Sequence, residues 1–226
     1  MPRTSSATDA DAVFILGDLF ELWVGDDARS DPFAARCVEV LARAGRRLHL
    51  AVMVGNRDFL IGPDLLAACN AHALPDPTLL LAFGRRVLLS HGDALCLADR
   101  DYQDFRRQVR DAAWQRAFLA KPLPERLGVA REIRGASEKS HMRRQFDGEM
   151  AADVDVAAAT ALLRAAGSKC LVHGHTHRPG SEAWPGGFER HVLTDWDLDT
   201  GSRAEVLRLD AAGFTRRPPA SRAAAC

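Results

Sequence analysis

Apolar residues in this chain come in short dense runs, each closed by glycine or a polar group, with amphipathic stretches between them. Ala12-Val13-Phe14-Ile15-Leu16 reads as a buried strand stopping at Gly17-Asp18. Pro32 to Ala44 has helical periodicity, with proline in its first turn and Gly45 at its end. Leu48 to Val54 is a second strand ending at Gly55-Asn56-Arg57-Asp58, and a short helix follows from about Pro63 to Cys69. Leu79 to Phe83 and Val87 to Leu89, joined by Gly84-Arg85-Arg86, predict a hairpin or two neighbouring strands, the latter running into Ser90-His91-Gly92-Asp93. From Asp99 to about Ala166 the periodicity is helical, with no strand signal. Lys169 to Val172 returns to strand, and Phe188 to Leu193 and Ala204 to Leu209 read as closing strands. Residues 215–226 lack periodicity and are expected to fray as a disordered tail.

Strands alternating with helices predict an α/β fold. Its core would span residues 1–98 and 167–214, interrupted by a helical insertion over 99–166. One pattern recurs: an apolar strand ends and a metal-competent side chain follows at once. Asp18, Asn56, His91 and His173, with His175 just behind, all stand there. Ligands collect beyond the carboxyl ends of strands in helix-flanked sheets, so four such ends in one sheet would converge on one cleft. In Leu171-Val172-His173-Gly174-His175-Thr176-His177 the histidines alternate, which at period two puts them on one face of an extended segment. Each feature alone has a plain structural reading: Gly-Asp or Asn56 as a turn, His91 as a half-buried histidine, the three histidines as a polar surface turn. Together, carboxylate, amide and imidazole make an oxygen–nitrogen donor set suited to Mn²⁺, Fe²⁺ or Zn²⁺, with Mn²⁺ preferred over Mg²⁺. Two ions bridged by Asp18 would clamp a phosphoryl displacement.

Composition narrows the partners. The 226 residues carry 30 basic and 30 acidic side chains, so net charge points to no particular partner. Five cysteines (Cys37, Cys69, Cys96, Cys170, Cys226) without a C-x-x-C suit a reducing compartment. No apolar run is long enough to span a bilayer and no signal-peptide pattern opens the chain, so a cytoplasmic location without a transmembrane segment is expected.

Taken in order, GD, GNRD, SHGD and HGHTH resemble the blocks of the calcineurin-like metallophosphoesterases. The long block Leu16-Gly17-Asp18-Leu19-Phe20-Glu21-Leu22-Trp23-Val24-Gly25-Asp26-Asp27, and Arg57 where most relatives carry histidine, are similar to the UDP-2,3-diacylglucosamine hydrolase branch of lipid A biosynthesis. So are His91-Gly92-Asp93-Ala94-Leu95-Cys96 and the HGHTHRP stretch. The resemblance implies a four-layer αββα sandwich and Mn²⁺-dependent hydrolysis of the substrate diphosphate to UMP and 2,3-diacylglucosamine 1-phosphate. It makes Asp18 the bridge between two Mn²⁺ ions. Asn56, His91 and His173 would complete one ion and His175 would serve the other. Arg57 would bind the diphosphate with its planar fork of donors. Asn56, Arg57, Asp99, Ser137, His141, Arg144 and His173 would contact substrate, with Asp18 and Arg57 the catalytic pair. Asp58 and Asp93 would orient ligands rather than bind metal.

The family pattern also begins with a strand ending in D-x-H, which has no counterpart here. Asp9 and Asp11 precede the first strand, at its wrong end, and bring no histidine. The resemblance therefore expects a further strand and helix upstream, on the order of 20–25 residues. The chain as written would be weakly active and poorly stable, and adding that segment would restore Mn²⁺-dependent hydrolysis.

The insertion is the basic part of a neutral chain: Arg100 to Arg144 holds twelve Lys/Arg against six Asp/Glu. Tyr102, Phe105, Val109, Trp114, Phe118 and Leu119 recur at spacings close to one helical face. A solvated helical pair capping the core would look like this. So would a lid with an apolar lining for acyl chains and a basic exterior for an anionic inner-membrane surface. No nucleic-acid-binding motif accompanies the charge. A different phosphoesterase of the superfamily and a non-catalytic binder of the UDP-lipid remain the alternatives.

Overall fold

The computed structural model describes residues 8–146, 152–199 and 203–219, with side chains given outside 136–146. In chain order the elements are β1 (Ala12–Leu16), α1 (Pro32–Gly45), β2 (His49–Met53), α2 (Pro63–Ala68), β3 (Ala71–Ala73), β4 (Thr78–Ala82) and β5 (Arg85–Ser90). Then come α3 (Arg100–Val109), α4 (Ala112–Leu119), α5 (Leu123–Phe146), α6 (Val156–Ala165), β6 (Cys170–His173), β7 (Gly180–Trp184), β8 (Phe188–Val192), β9 (Val206–Asp210) and β10 (Gly213–Arg217). Aspartates start four of the helices. Asp31, Asp99, Asp111 and Asp155 each accept a backbone N–H of the first turn, satisfying donors that a helix start leaves open.

Two sheets form the core. The first runs β1-β2-β3, all parallel, and the second runs β4-β5-β6-β8-β7, with β5, β6 and β8 parallel and antiparallel strands at both edges. Alternate side chains on each strand divide between two layers. Phe14, Leu16 and Met53 of the first sheet meet Val87, Leu89, Cys170 and Val172 of the second. Leu88, Leu171 and Phe188, on the opposite face of the second sheet, pack on Ala159 and Leu163 of α6. α1 and α2 bring Ala34 and Leu65 to the outer side of the first sheet, where α4 adds Phe118. The layering is therefore helices, sheet, sheet, helix, the αββα arrangement expected. Each fully buried leucine, such as Leu171, contributes about 2 kcal/mol of transfer free energy.

Several expectations change. The four strand ends come from two sheets, not one: β1 and β2 belong to the first, β5 and β6 to the second. Three strands were not anticipated. β3 is three residues long and β7 is a polar edge strand, so neither carries a dense apolar run. β10 pairs with β9 as far as Arg217, inside the stretch expected to fray. Among the described residues the helical stretch over 99–166 holds four helices, and α6 at its end is a layer of the core.

Candidate metal centre at the strand ends

Register brings the ligand-bearing turns together. Leu16 pairs with Met53, so the turns after β1 and β2 leave the first sheet side by side. Ser90 pairs with His173, and the Gly174 N–H donates to the His91 carbonyl at 3.0 Å, which couples the turns of the second sheet. Gly55 has to be glycine, because a Cβ there would overlap the Asp18 carboxylate and backbone. Gly17, at φ +88°, lies against the His91 ring in the same way.

One buried carboxylate holds the first pair of turns. Asp58 is fully buried and accepts from the backbone N–H groups of Gly55 (2.6 Å), Leu19 (2.7 Å), Asp18 (3.3 Å) and Phe20 (3.4 Å). Burial pushes its carboxyl above the ordinary range, despite the Gly55 N–H that favours the charge.

The result is a compact donor cluster. One ligand atom each from Asp18, His91 and His175 lie within 4.8 Å of one another. The Asn56 Oδ1 sits between the two rings, 3.0 Å from His91 Nε2 and 2.9 Å from His175 Nδ1. His91 Nδ1 faces only the Leu16 carbonyl at 2.8 Å, so that nitrogen carries the proton. Nε2 then faces the Asn56 oxygen at 3.0 Å and the Asp18 carboxylate at 3.8 Å. Imidazole nitrogens, an amide oxygen and a carboxylate drawn together in this way are a donor set that fits a divalent ion. Burial holds His175 down at about 4, keeping it neutral and competent as a ligand.

His173 stands apart. It is fully buried, its Nε2 accepts from Arg190 Nε at 2.8 Å, and its Nδ1 donates to the Gly174 carbonyl at 2.8 Å. Burial, then the Arg190 charge, push it down to about 3. With both nitrogens engaged it joins neither Asn56 nor His91, unlike the sorting implied by the resemblance. Nor do the three histidines share a face. β6 ends at His173, and positive φ at His175 (64°) and His177 (52°) folds the segment into a loop. His177, about half exposed, lies 3.4 Å from Asp195.

Comparison with known proteins decides the family. The chain is 46% identical over 222 residues to UDP-2,3-diacylglucosamine hydrolase of Ralstonia nicotianae, covering 94% of this chain and 82% of that one. It is 46% identical over 208 residues to the protein of the same name from Chromobacterium violaceum, covering 92% and 84%. For the Bordetella pertussis protein of that name the identity is 42% over 200 residues, covering 86% and 76%. The chain belongs to the UDP-2,3-diacylglucosamine hydrolase family. No family model matches it.

The hydrolase family resemblance also singled out residues around the donor cluster. The Arg57 backbone N–H donates to Asp18 Oδ1 at 2.9 Å and its Nε lies 3.8 Å from Asp18 Oδ2, while its Nη1 pairs with Glu21. Asp99 is half-buried and caps α3 through the Tyr102 N–H at 3.2 Å. Ser137, His141 and Arg144 lie on α5, where side chains fall outside the described ones.

Other contacts around the centre, including the partners of Asp93, escaped sequence reasoning. Asp93 is fully buried and accepts from the Tyr102 hydroxyl at 2.6 Å and Arg106 Nε at 2.8 Å, with Arg110 at 3.8 Å. Burial opposes its charge, but His91, Tyr102 and Arg106 outweigh that and bring it down to about 2. Arg110 also donates to the Gly55 carbonyl at 2.8 Å. Tyr102, Arg106 and Arg110 recur every four residues, a polar face that an apolar reading of α3 passed over. Trp114 and Phe118 stack on each other, and Phe118 is buried among residues of the first sheet's outer layer. Arg126 is buried and bonds to the Val24 carbonyl and Asp27. Arg134 pairs with Glu21 at 3.0 Å. Much of the basic excess in the insertion is thus engaged within the protein.

Proposed function

We propose that this chain hydrolyses the diphosphate of UDP-2,3-diacylglucosamine with Mn²⁺, releasing UMP and 2,3-diacylglucosamine 1-phosphate. The observation that carries the reading is the meeting of Asp18, His91 and His175 donors within 4.8 Å around the Asn56 oxygen, in a chain 46% identical to relatives of that name. Asp18, Asn56, His91 and His175 would hold the metal. His173 is a further ligand if its Arg190 contact is exchanged. A divalent ion there supplies Lewis-acid charge at the phosphoryl oxygens and a nucleophile acidified at neutral pH.

The chain's own residues do the rest. Arg57 is the diphosphate-binding cation: its fork is one-third exposed at the rim of the cluster, and its exposed partner Glu21 can be displaced by a phosphate. Asp58 fixes Asp18 by its backbone, and the Asp93–Tyr102–Arg106 group ties α3 beside His91. Asp99, Ser137, His141 and Arg144 are proposed as substrate contacts of a lid formed by the insertion. The enzyme would work peripherally on the cytoplasmic face of the inner membrane. In keeping with that, no helix among the described residues is long and apolar enough to cross a membrane.

The test is turnover of UDP-2,3-diacylglucosamine beside bis-p-nitrophenyl phosphate, with and without Mn²⁺. UMP release only with Mn²⁺, and preference for the lipid substrate, are expected. Preference for the simple diester would make the chain a different phosphoesterase. Binding of the UDP-lipid without UMP release would make it a binding protein.

A further inference from the structure

A second group of ligand-type side chains lies away from this centre, on the face of the second sheet that turns towards the first. Cys170 on β6 is the register partner of Glu189 on β8, and His191 follows two residues later on the same face of β8. One ligand atom from each lies within 4.8 Å of the others. His191 is 8% exposed, and the Phe214 ring from β10 lies 4.3 Å away. Its Nδ1 is occupied by the Ser181 hydroxyl at 2.7 Å, whereas its Nε2 is buried and has no hydrogen-bond partner among the described residues. That nitrogen faces the Glu189 carboxylate at 3.9 Å, too long for a hydrogen bond. A buried ring nitrogen left open beside a thiol and a carboxylate calls for an occupant.

We propose that Cys170, Glu189 and His191 form a second site for a divalent transition metal of the zinc class, joining β6 to β8. Bonds of about 2.0–2.3 Å put two ligand atoms of one ion roughly 3.3–3.6 Å apart at tetrahedral angles, so side-chain adjustment alone closes the cluster. The sulfur donor makes the site softer than the Asp18 centre, which has only oxygen and nitrogen. Glu189 is 44% exposed, which leaves a route to solvent and room for a water as fourth ligand. Binding displaces the thiol proton to solvent and leaves a metal thiolate. Without a cation the thiol stays protonated, since burial and the Glu189 carboxylate both push it up.

Sulfur ligation separates the two sites experimentally. Reduced, metal-free protein titrated with Cd²⁺ should develop a thiolate-to-metal charge-transfer band that saturates at one ion per chain. Asp18→Ala should keep the band and Cys170→Ser should lose it. Glu189→Gln, a change at a half-exposed side chain that leaves the fold intact, should weaken Cd²⁺ binding by about tenfold or more. Absence of the band, its persistence in Cys170→Ser through another cysteine, or unchanged affinity in Glu189→Gln overturns the site. None of these readouts depends on turnover, so failure here leaves the proposed hydrolase reading untouched.

Discussion

Arg57 and Asp93 show how differently two charged residues near one centre behave. Arg57 reaches the rim, with its backbone on Asp18 and its guanidinium on an exposed acid. Arg57→Ala should lower kcat/KM on the UDP-lipid by about 10²–10³-fold, as for loss of a positioned donor, and Arg57→Lys should recover little because the planar fork is lost. Asp93 works from inside. Its folded value of about 2 lies below the ordinary 3.8, so between the two the unfolded chain binds more protons. The associated stability, about 2 kcal/mol, is complete above roughly pH 5 and is lost as pH falls through 3.8 towards 2. In the metal-free protein Asp93→Asn should flatten the acid side of an unfolding curve measured from neutral pH downward. That Asp18, Asn56, His91 and His175 come together was legible because each stands just beyond an apolar run. Tyr102, Arg106 and Arg190 were not, since a residue inside a helix or strand has no local mark of the partner that folding brings to it.

At the scale of elements, the insertion is fastened rather than floating. Arg126 on α5 is buried against Val24 and Asp27, and Arg110 on α3 holds the Gly55 turn. Arg126→Met leaves the buried Val24 carbonyl without its donor and should cost about 1–3 kcal/mol. Limited proteolysis should then cut within α5 faster than in the parent, and no change in cleavage would mean the helix is held elsewhere. The strands with dense apolar runs were readable from sequence, as were the helices begun by Asp31 and Asp99. β3, β7 and β10 were not, because edge and ribbon strands draw their definition from a neighbour's hydrogen bonds rather than from their own composition. The break at Asp111 hid as well: it divides the apolar spacing between α3 and α4, so that Tyr102 turns to Asp93 while Phe118 enters the core.

For the whole molecule, the donor cluster joins turns from both sheets, so under the proposed function ion binding and folding would be linked. Mn²⁺ at about 100 times its dissociation constant should stabilise the chain by about 2.7 kcal/mol, which for a domain of this size raises Tm by roughly 5–10 °C. Chelator should reverse the shift, and Asp18→Ala should abolish it; a Tm indifferent to Mn²⁺ would count against the centre. The alternation of strands and helices was enough for the α/β class, while the four-layer arrangement and the family came through the resemblance that the ordered motifs carry. Only tertiary structure decided that the strand ends come from two sheets, that positive φ at His175 turns its ring to Asn56, and that Arg190 takes His173. The reason is range: apolar periodicity is a local signal along the chain, whereas the partner of a buried polar group is chosen by pairings between residues far apart in it.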